Sequence, residues 1–294
     1  MRDAFAELLT RLEPNTGEVN ALRSHKRSIE QALGDAFSGF QRLEVMGSHT
    51  RDSAIRYFSD VDYLAVLGRQ DVTYGGSVVR SATTLCRVRD VLQARFPQTE
   101  VRVDGPAVVV KFQGGEGAVD VVPGFYVGPA PRSGHPVFAI PDGAGRWLNT
   151  SPQAHGKYLK DADEEAGGML SSTIRLLKAW KYARFPSIPG LSFQIEMRLA
   201  SEGTCIGMAS YALCLRDAFQ LLRSDEGLAL SDPLGISGLI PIVSTENQGK
   251  NLLNDLDYAI THVRTALMAD YLGHLDEAFR QWNIVFNGEF PARR

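Results

Sequence analysis

Three aspartates in this sequence stand where carboxylates can do phosphoryl chemistry. Asp60 and Asp62 are two apart in Ser59-Asp60-Val61-Asp62-Tyr63-Leu64, and Asp120 is embedded in Val119-Asp120-Val121-Val122. Residues two apart in a strand point to one face, so Asp60 and Asp62 project together while Val61 and Tyr63 face the other way. Two such charges repel unless a cation lies between them. Magnesium, with octahedral oxygen coordination, is commonly held by one or two carboxylates plus substrate phosphates. If the strand of Asp120 lies beside the Asp60/Asp62 strand, the three complete a pair of metal sites about 3.5–4 Å apart, suited to in-line displacement at phosphorus. Gly47-Ser48, at the end of a short apolar run, offers backbone N–H groups and a hydroxyl to phosphate oxygens.

The elements that must position these residues follow from periodicity. Leu43–Met46 and Val61–Leu67 read as strands on either side of the Gly-Ser turn. Ala107–Phe112 and Ala118–Val122 read as a hairpin through Gly114-Gly115-Glu116-Gly117, which lacks the lysine and Ser/Thr of a P-loop and is read as a turn. Helices are expected over 3–12 and 17–37, separated by Pro14-Asn15-Thr16-Gly17, and over 77–96, where Pro97 stops the pattern. Between Gly124 and Pro152, Pro129, Pro131, Pro136 and Pro141 are expected to break any regular element. Beyond it, helical stripes cover 153–165, 168–185, 191–201, 206–224 and 248–284, the last as one long helix or two joined ones. The expected fold class is α+β: residues 1–150, with the N-terminal helices, form a lobe built on a small mixed sheet, residues 151–294 form a helical lobe, and the active site lies in the cleft between them.

Gly-Ser, some twelve residues, Asp-x-Asp on a strand and a later Asp between apolar strand residues resemble the DNA polymerase β-like nucleotidyltransferases. Most of the chain is similar to the CD-NTase family, the cGAS/DncV-like synthases of cyclic oligonucleotides. Ile174-Arg175-Leu176-Leu177-Lys178-Ala179-Trp180 resembles that family's lysine helix, and Ser192-Phe193 its Ser-aromatic helix start. The resemblance implies that Lys178 and Ser192 contact a triphosphate and that Phe193 stacks on a base; Ser192 also reads as a plain N-cap. Trp147-Leu148-Asn149-Thr150-Ser151-Pro152 resembles the segment preceding the helical lobe in relatives, with Asn149 placed to read a base edge. His49 and Asp52-Ser53 stand where the family has an aromatic and Gly-Thr.

The resemblance further implies two Mg2+ ions, with Mn2+ as a substitute, nucleoside triphosphates as substrates, a cyclic di- or trinucleotide product in bacterial anti-phage signalling, and a regulatory protein partner encoded nearby. Two other readings stay open. One is transfer of a single nucleotide to an RNA end, protein or small molecule; the other is a non-catalytic nucleotide-binding regulator.

Composition narrows the partners. With 31 Lys+Arg against 34 Asp+Glu and a net charge of −3, no overall basic field would hold a long nucleic acid. There is no zinc-binding insertion, so a long DNA activator is not expected. Cys86, Cys205 and Cys214 form no C-x-x-C pair, and the six histidines show no metal spacing. No signal peptide or membrane span is read, and the expected location is the cytoplasm.

Overall fold

The computed structural model describes residues 1–15, 17, 20, 24–56, 61–112, 118–184, 186–189, 192–224 and 229–293. Asp60 and the 114–117 turn lie outside these residues. The helices α1 (Arg2–Arg11) and α2 (Lys26–Ala36) are described ahead of the sheet strands β1 (Arg42–Met46) and β2 (Val61–Leu67). A small hairpin follows, β3 (Thr73–Tyr74) and β4 (Ser77–Val78), then α3 (Ser81–Arg95). Val78 therefore belongs to a hairpin, and the helix expected from residue 77 begins at Ser81. The sheet resumes with β5 (Glu100–Asp104), β6 (Ala107–Lys111) and β7 (Ala118–Pro129).

The proline-rich stretch after Gly124 is a correction to the sequence reading. β7 runs on to Pro129, and β8 (Pro136–Pro141) and β9 (Trp147–Thr150) follow it. Pro129, Pro136 and Pro141 stand at strand ends, where a missing N–H costs little. The sheet is mixed, in the order β1-β2-β7-β6-β5, with β8 on β7 and β9 on β8. Only the β2–β7 pair is parallel. β6 pairs with the first part of β7 and β8 with its later part, so Phe125 has Leu67 on one side and Ala139 on the other.

One face of the sheet is covered by α2 and α3. Ile29, Leu33, Leu85, Val88 and Leu92 close a core with Val61, Tyr63, Ala65, Val119 and Val121. The other face carries only a small apolar cluster, Leu64, Val66 and Phe138, with Met46 and Ile140 against it. This face is the one left for chemistry.

The second half is helical: α4 (Pro152–Glu165), α5 (Met169–Tyr182), α6 (Ser192–Ser201), α7 (Tyr211–Ser224), α8 (Glu246–Tyr271) and α9 (Leu275–Val285), with a short pair β10 (Leu230–Ser231) and β11 (Leu239–Ile240). The long 248–284 pattern resolves into two helices, parted at Gly273, whose φ of +78° suits glycine. Ser151 joins sheet to helices. Its Oγ accepts from the Ala154 N–H at 3.4 Å and donates to the Pro136 carbonyl at 2.7 Å, and Pro152 sits in the first turn, where its missing N–H is not needed.

α1 belongs to the helical core, not to the sheet lobe as expected. Phe5, Leu8 and Leu9 pack in the same cluster as Trp180, Phe219 and Trp282, and Phe5 meets Trp282 edge-on at 4.9 Å. The apolar stripe of α1 matches either core; only tertiary packing selects one.

Candidate active site

β2 and β7 run in the register Val61↔Val119 through Leu67↔Phe125, which sets Asp62 directly beside Asp120 on one face. That face continues as Leu64 and Val66 on β2, and Leu64 and Val66 are fully buried. Val61, Tyr63, Val119 and Val121 anchor the opposite face in the core, so the two carboxylates are aimed away from it by strand alternation alone. The donor set is oxygen, charged and half-buried, the chemistry a hard divalent cation takes. Among the described residues no three His, Cys, Asp or Glu side chains converge as a metal cluster. The expected third member, Asp60, lies just before β2 and outside the described residues.

β1 brings the glycine of the Gly-Ser turn to the carboxylates. Met46 pairs with Asp62, and Gly47 follows with φ +73°. A Cβ at Gly47 would meet the Asp62 carboxylate, 2.6 Å from its Cγ and 2.9 Å from its Cβ. Glycine is therefore required twice, by the backbone and by the side chain beside it. The next residues form a 3₁₀ turn, Gly47–Thr50. The Thr50 hydroxyl donates to the Gly47 carbonyl at 3.0 Å, and the Arg51 and Ser53 N–H groups donate to the Ser48 carbonyl at 3.3 and 3.2 Å.

Lys178, expected at the triphosphate, meets protein partners in this structure. It is buried on α5, and its ammonium donates to the Ser53 carbonyl at 2.8 Å, to Ser53 Oγ at 3.0 Å and to Glu196 Oε1 at 2.6 Å. An ammonium has three donors, and these three oxygens take them. Arg175, one turn before Lys178 on α5, reaches the Ser172 hydroxyl at 3.4 Å. The cation near Ser192 is instead Lys181, whose Nζ stands 3.5 Å from Ser192 Oγ. Ser192 opens the described span of α6.

Glu196, fully buried on α6, is the hub of the cluster. Oε1 accepts from Lys178 and from the Ser53 hydroxyl at 2.7 Å, and Oε2 accepts from Arg51 Nε at 2.6 Å. Burial pushes this carboxyl up, but the charges of Arg51 and Lys178 and the hydrogen bonds from Lys178 and Ser53 outweigh it and hold it at about 2. Burial pulls Lys178 down, partly offset by Glu196. Glu196 is thereby held as a carboxylate, with Lys178 and Arg51 both in salt-bridge contact with it. The sequence contained a signal for it: a Glu inside Ile195-Glu196-Met197, on a helix with few exposed positions, needs a cation.

Phe193 is half-buried between two groups. The Arg51 guanidinium lies 5.2 Å from its ring centroid, and the His155 ring meets it edge-on at 5.1 Å. His155 in turn is held by buried Asp232 at 3.1 Å, whose carboxylate also accepts the N–H groups of Leu234, Ile236 and Ser237. Burial pushes Asp232 up, yet the hydrogen bonds from His155 and these N–H groups leave its carboxyl well below the usual range. The ring expected to stack on a base is thus braced from behind by a fixed imidazole.

Asn149 lies on the sheet face opposite the carboxylates. It pairs with Ala139, which packs with Trp147 in the core behind the sheet, whereas Phe138 and Ile140 belong to the carboxylate face. Asn149 shares the Ala139 face and is directed away from Asp62 and Asp120, so it is not placed to read a base there.

A mixed sheet presenting two aligned carboxylates beside a Gly-Ser turn, joined to a helical half, defines a nucleotidyltransferase of the polymerase β-like fold. The Second Messenger Oligonucleotide or Dinucleotide Synthetase domain matches residues 1–163. A probable cyclic nucleotide synthase of Bacillus cereus is 23% identical over 279 residues, which cover 84% of this chain and 81% of that protein. A cyclic AMP-AMP-AMP synthase of Acinetobacter is 26% identical, over 98% of this chain and 84% of its own. The solved structure of Escherichia coli CdnC with ATP superposes with a TM-score of 0.73 at 20% identity over 99% of each chain. Apo DncV of Vibrio cholerae gives 0.73 at 15% identity, over 97% of this chain and 93% of its own. The chain belongs to the second messenger oligonucleotide or dinucleotide synthetases, the CD-NTase family, and is a nucleotidyltransferase.

Proposed function

We propose that this enzyme joins nucleoside triphosphates into a cyclic di- or trinucleotide that serves as a second messenger in bacterial anti-phage signalling. The observation that carries the reading is Asp62 locked in register beside Asp120, with Gly47 cut back to let the carboxylate of Asp62 lie against the turn. In each transfer a hydroxyl oxygen bonds to an α-phosphorus, the bond from that phosphorus to the pyrophosphate oxygen breaks, and the hydroxyl proton is lost. Repeating the step within the linear product closes the ring.

Asp62 and Asp120, with Asp60 as the third ligand, would hold two Mg2+ ions, for which Mn2+ can substitute. These ions supply charge neutralisation and lower the pKa of the attacking hydroxyl. Asp62 and Asp120 fit that role because they offer oxygen donors on one strand-defined face. The Gly47-Ser48 turn would cradle the triphosphate with backbone N–H groups. Lys181 and Ser192 would meet the phosphates in the place first expected for Lys178. Phe193, braced by His155, would stack on a base, which is worth about 1–3 kcal/mol and tolerates several bases.

The names of the relatives, a cyclic nucleotide synthase and a cyclic AMP-AMP-AMP synthase, support cyclic products over linear ones. Escherichia coli CdnC has been solved in complex with a HORMA protein, at a TM-score of 0.72 to this chain, which supports a regulatory protein partner here as well. No described helix is long and apolar enough to cross a membrane, in keeping with a cytoplasmic site of action.

The test is incubation of the protein with labelled ATP, GTP, CTP and UTP and magnesium, followed by phosphatase. Resistant, cyclic products are expected, and Asp62→Asn or Asp120→Asn should abolish them while leaving thermal unfolding in place. Phosphatase-sensitive linear products alone, or product formation by both variants, would overturn the proposal.

A further inference from the structure

We infer that Glu196 is a positioning residue for nucleotidyl transfer: from the helical half it fixes the Gly47–Ser53 turn against the carboxylates, through Arg51 and Ser53. The geometry has three parts. Glu196 is fully buried and sits on α6, with Lys178 on α5 as its neighbour, so both come from the helical half. Its other two partners, Arg51 and Ser53, belong to the turn that begins at Gly47. That turn is itself closed by Arg51 and Ser53 donating to the Ser48 carbonyl. A pull on Arg51 or Ser53 is therefore a pull on Ser48, and Ser48 is next to the glycine that touches Asp62.

The charge arithmetic explains why a carboxylate is needed. Arg51 and Lys178 are two cations converging on one point, and Lys178 also donates to the Ser53 carbonyl and hydroxyl. Without an anion between them the two cations repel, and the turn end carrying Arg51 is driven from the end of α5. With Glu196 in place, the Ser53 hydroxyl accepts from Lys178 and donates to Glu196 at once, which leaves a single orientation of that hydroxyl. The network spans separations of 125, 143 and 145 residues and joins the two halves of the molecule at the turn beside the reacting groups. Arg51 also lies over the Phe193 ring, so the same anchor sets the base-stacking residue relative to the turn. Glu196 is bonded to Lys178, Ser53 and Arg51, and it acts through the residues it holds.

The kinetic arm of the test rests on the synthase reading above, whereas the exchange arm does not. The full-length chain is compared with Glu196→Gln, which keeps the size and removes the charge, and with Arg51→Gln, which leaves Lys178 and Ser53 bonded to Glu196 and cuts the Arg51 link to the turn. Hydrogen exchange at the Ser53 and Arg51 amides is expected to accelerate at least tenfold in either folded variant, while exchange in the β5–β6 hairpin stays as in the parent. The kcat for product formation should fall about a hundredfold, the cost of an ångström-scale misplacement, with KM for the triphosphate within about threefold. Should Glu196→Gln not fold, Arg51→Gln decides. Unchanged exchange in the turn, or a raised KM at unchanged kcat, overturns the inference. Absence of cyclic product from the parent protein would sink the synthase reading alone, and the exchange result would still stand or fall by itself.

Discussion

Replacing Gly47 by alanine perturbs the site through two separable effects. The residue has φ +73°, a conformation that costs an L-residue about 1–2 kcal/mol. The new methyl would also stand 2.6 Å from Asp62 Cγ and 2.9 Å from Asp62 Cβ, where carbon atoms normally settle about 3.5–4.0 Å apart. Relief requires about 1 Å of movement, and the Asp62 side chain is the movable partner because β2 is pinned between β1 and β7. The expected outcome is a modest fall in thermal stability, equivalent to about 1–2 kcal/mol, with a drop in kcat of about a hundredfold or more. Steady-state release of pyrophosphate with each triphosphate, alongside a melting curve, measures both. A variant that keeps activity within threefold of the parent refutes the claim that Gly47 is fixed by the carboxylate beside it. So does a loss of activity that merely follows the loss of folded protein.

Other outcomes follow from the same geometry. Because the Glu196 carboxyl is held at about 2 against a reference value of 4.5, its ionised form adds about 3 kcal/mol of stability above pH 4.5 that is lost as pH falls from there toward 2. Urea unfolding across that range should show this acid loss, and Glu196→Gln should flatten it; equal slopes in both proteins would refute the network. Phe193→Leu removes the stacking face, and a rise of about fivefold or more in KM for the preferred triphosphate, from the ~1–3 kcal/mol of stacking, is expected in initial-rate assays; an unchanged KM excludes stacking there. Asn149→Ala should leave base preference and KM unchanged when the four triphosphates compete, since its face is turned from the carboxylates, and a shifted preference would show that face to be in contact with substrate.

Much of the site was legible in the residues themselves because strand alternation is a local rule. Asp62 projecting from an apolar strand, Asp120 in another, and a glycine turn at the end of the strand before Asp62 could be read from spacing, and the fold sets Asp62 and Asp120 side by side. The helical second half was likewise legible in its stripes, and the glycine at 273 marks where the last one divides. The strands between Gly124 and Pro152 were not, because prolines at strand ends look like prolines in loops until the partners of those strands are known.

What the sequence by itself determined is therefore the carboxylates, the turn beside them and the class of chemistry they serve, all properties of short segments. Only the fold brings Lys178 onto Glu196 and Ser53, sets Asn149 on the sheet face opposite the carboxylates, and packs α1 with the helices. The physical reason is common to all three. A buried charge takes whichever counter-charge the fold brings to it, a strand residue takes the face its register assigns, and an amphipathic helix covers whichever apolar surface is nearest. Each of these partners lies far along the chain, where no local pattern records it.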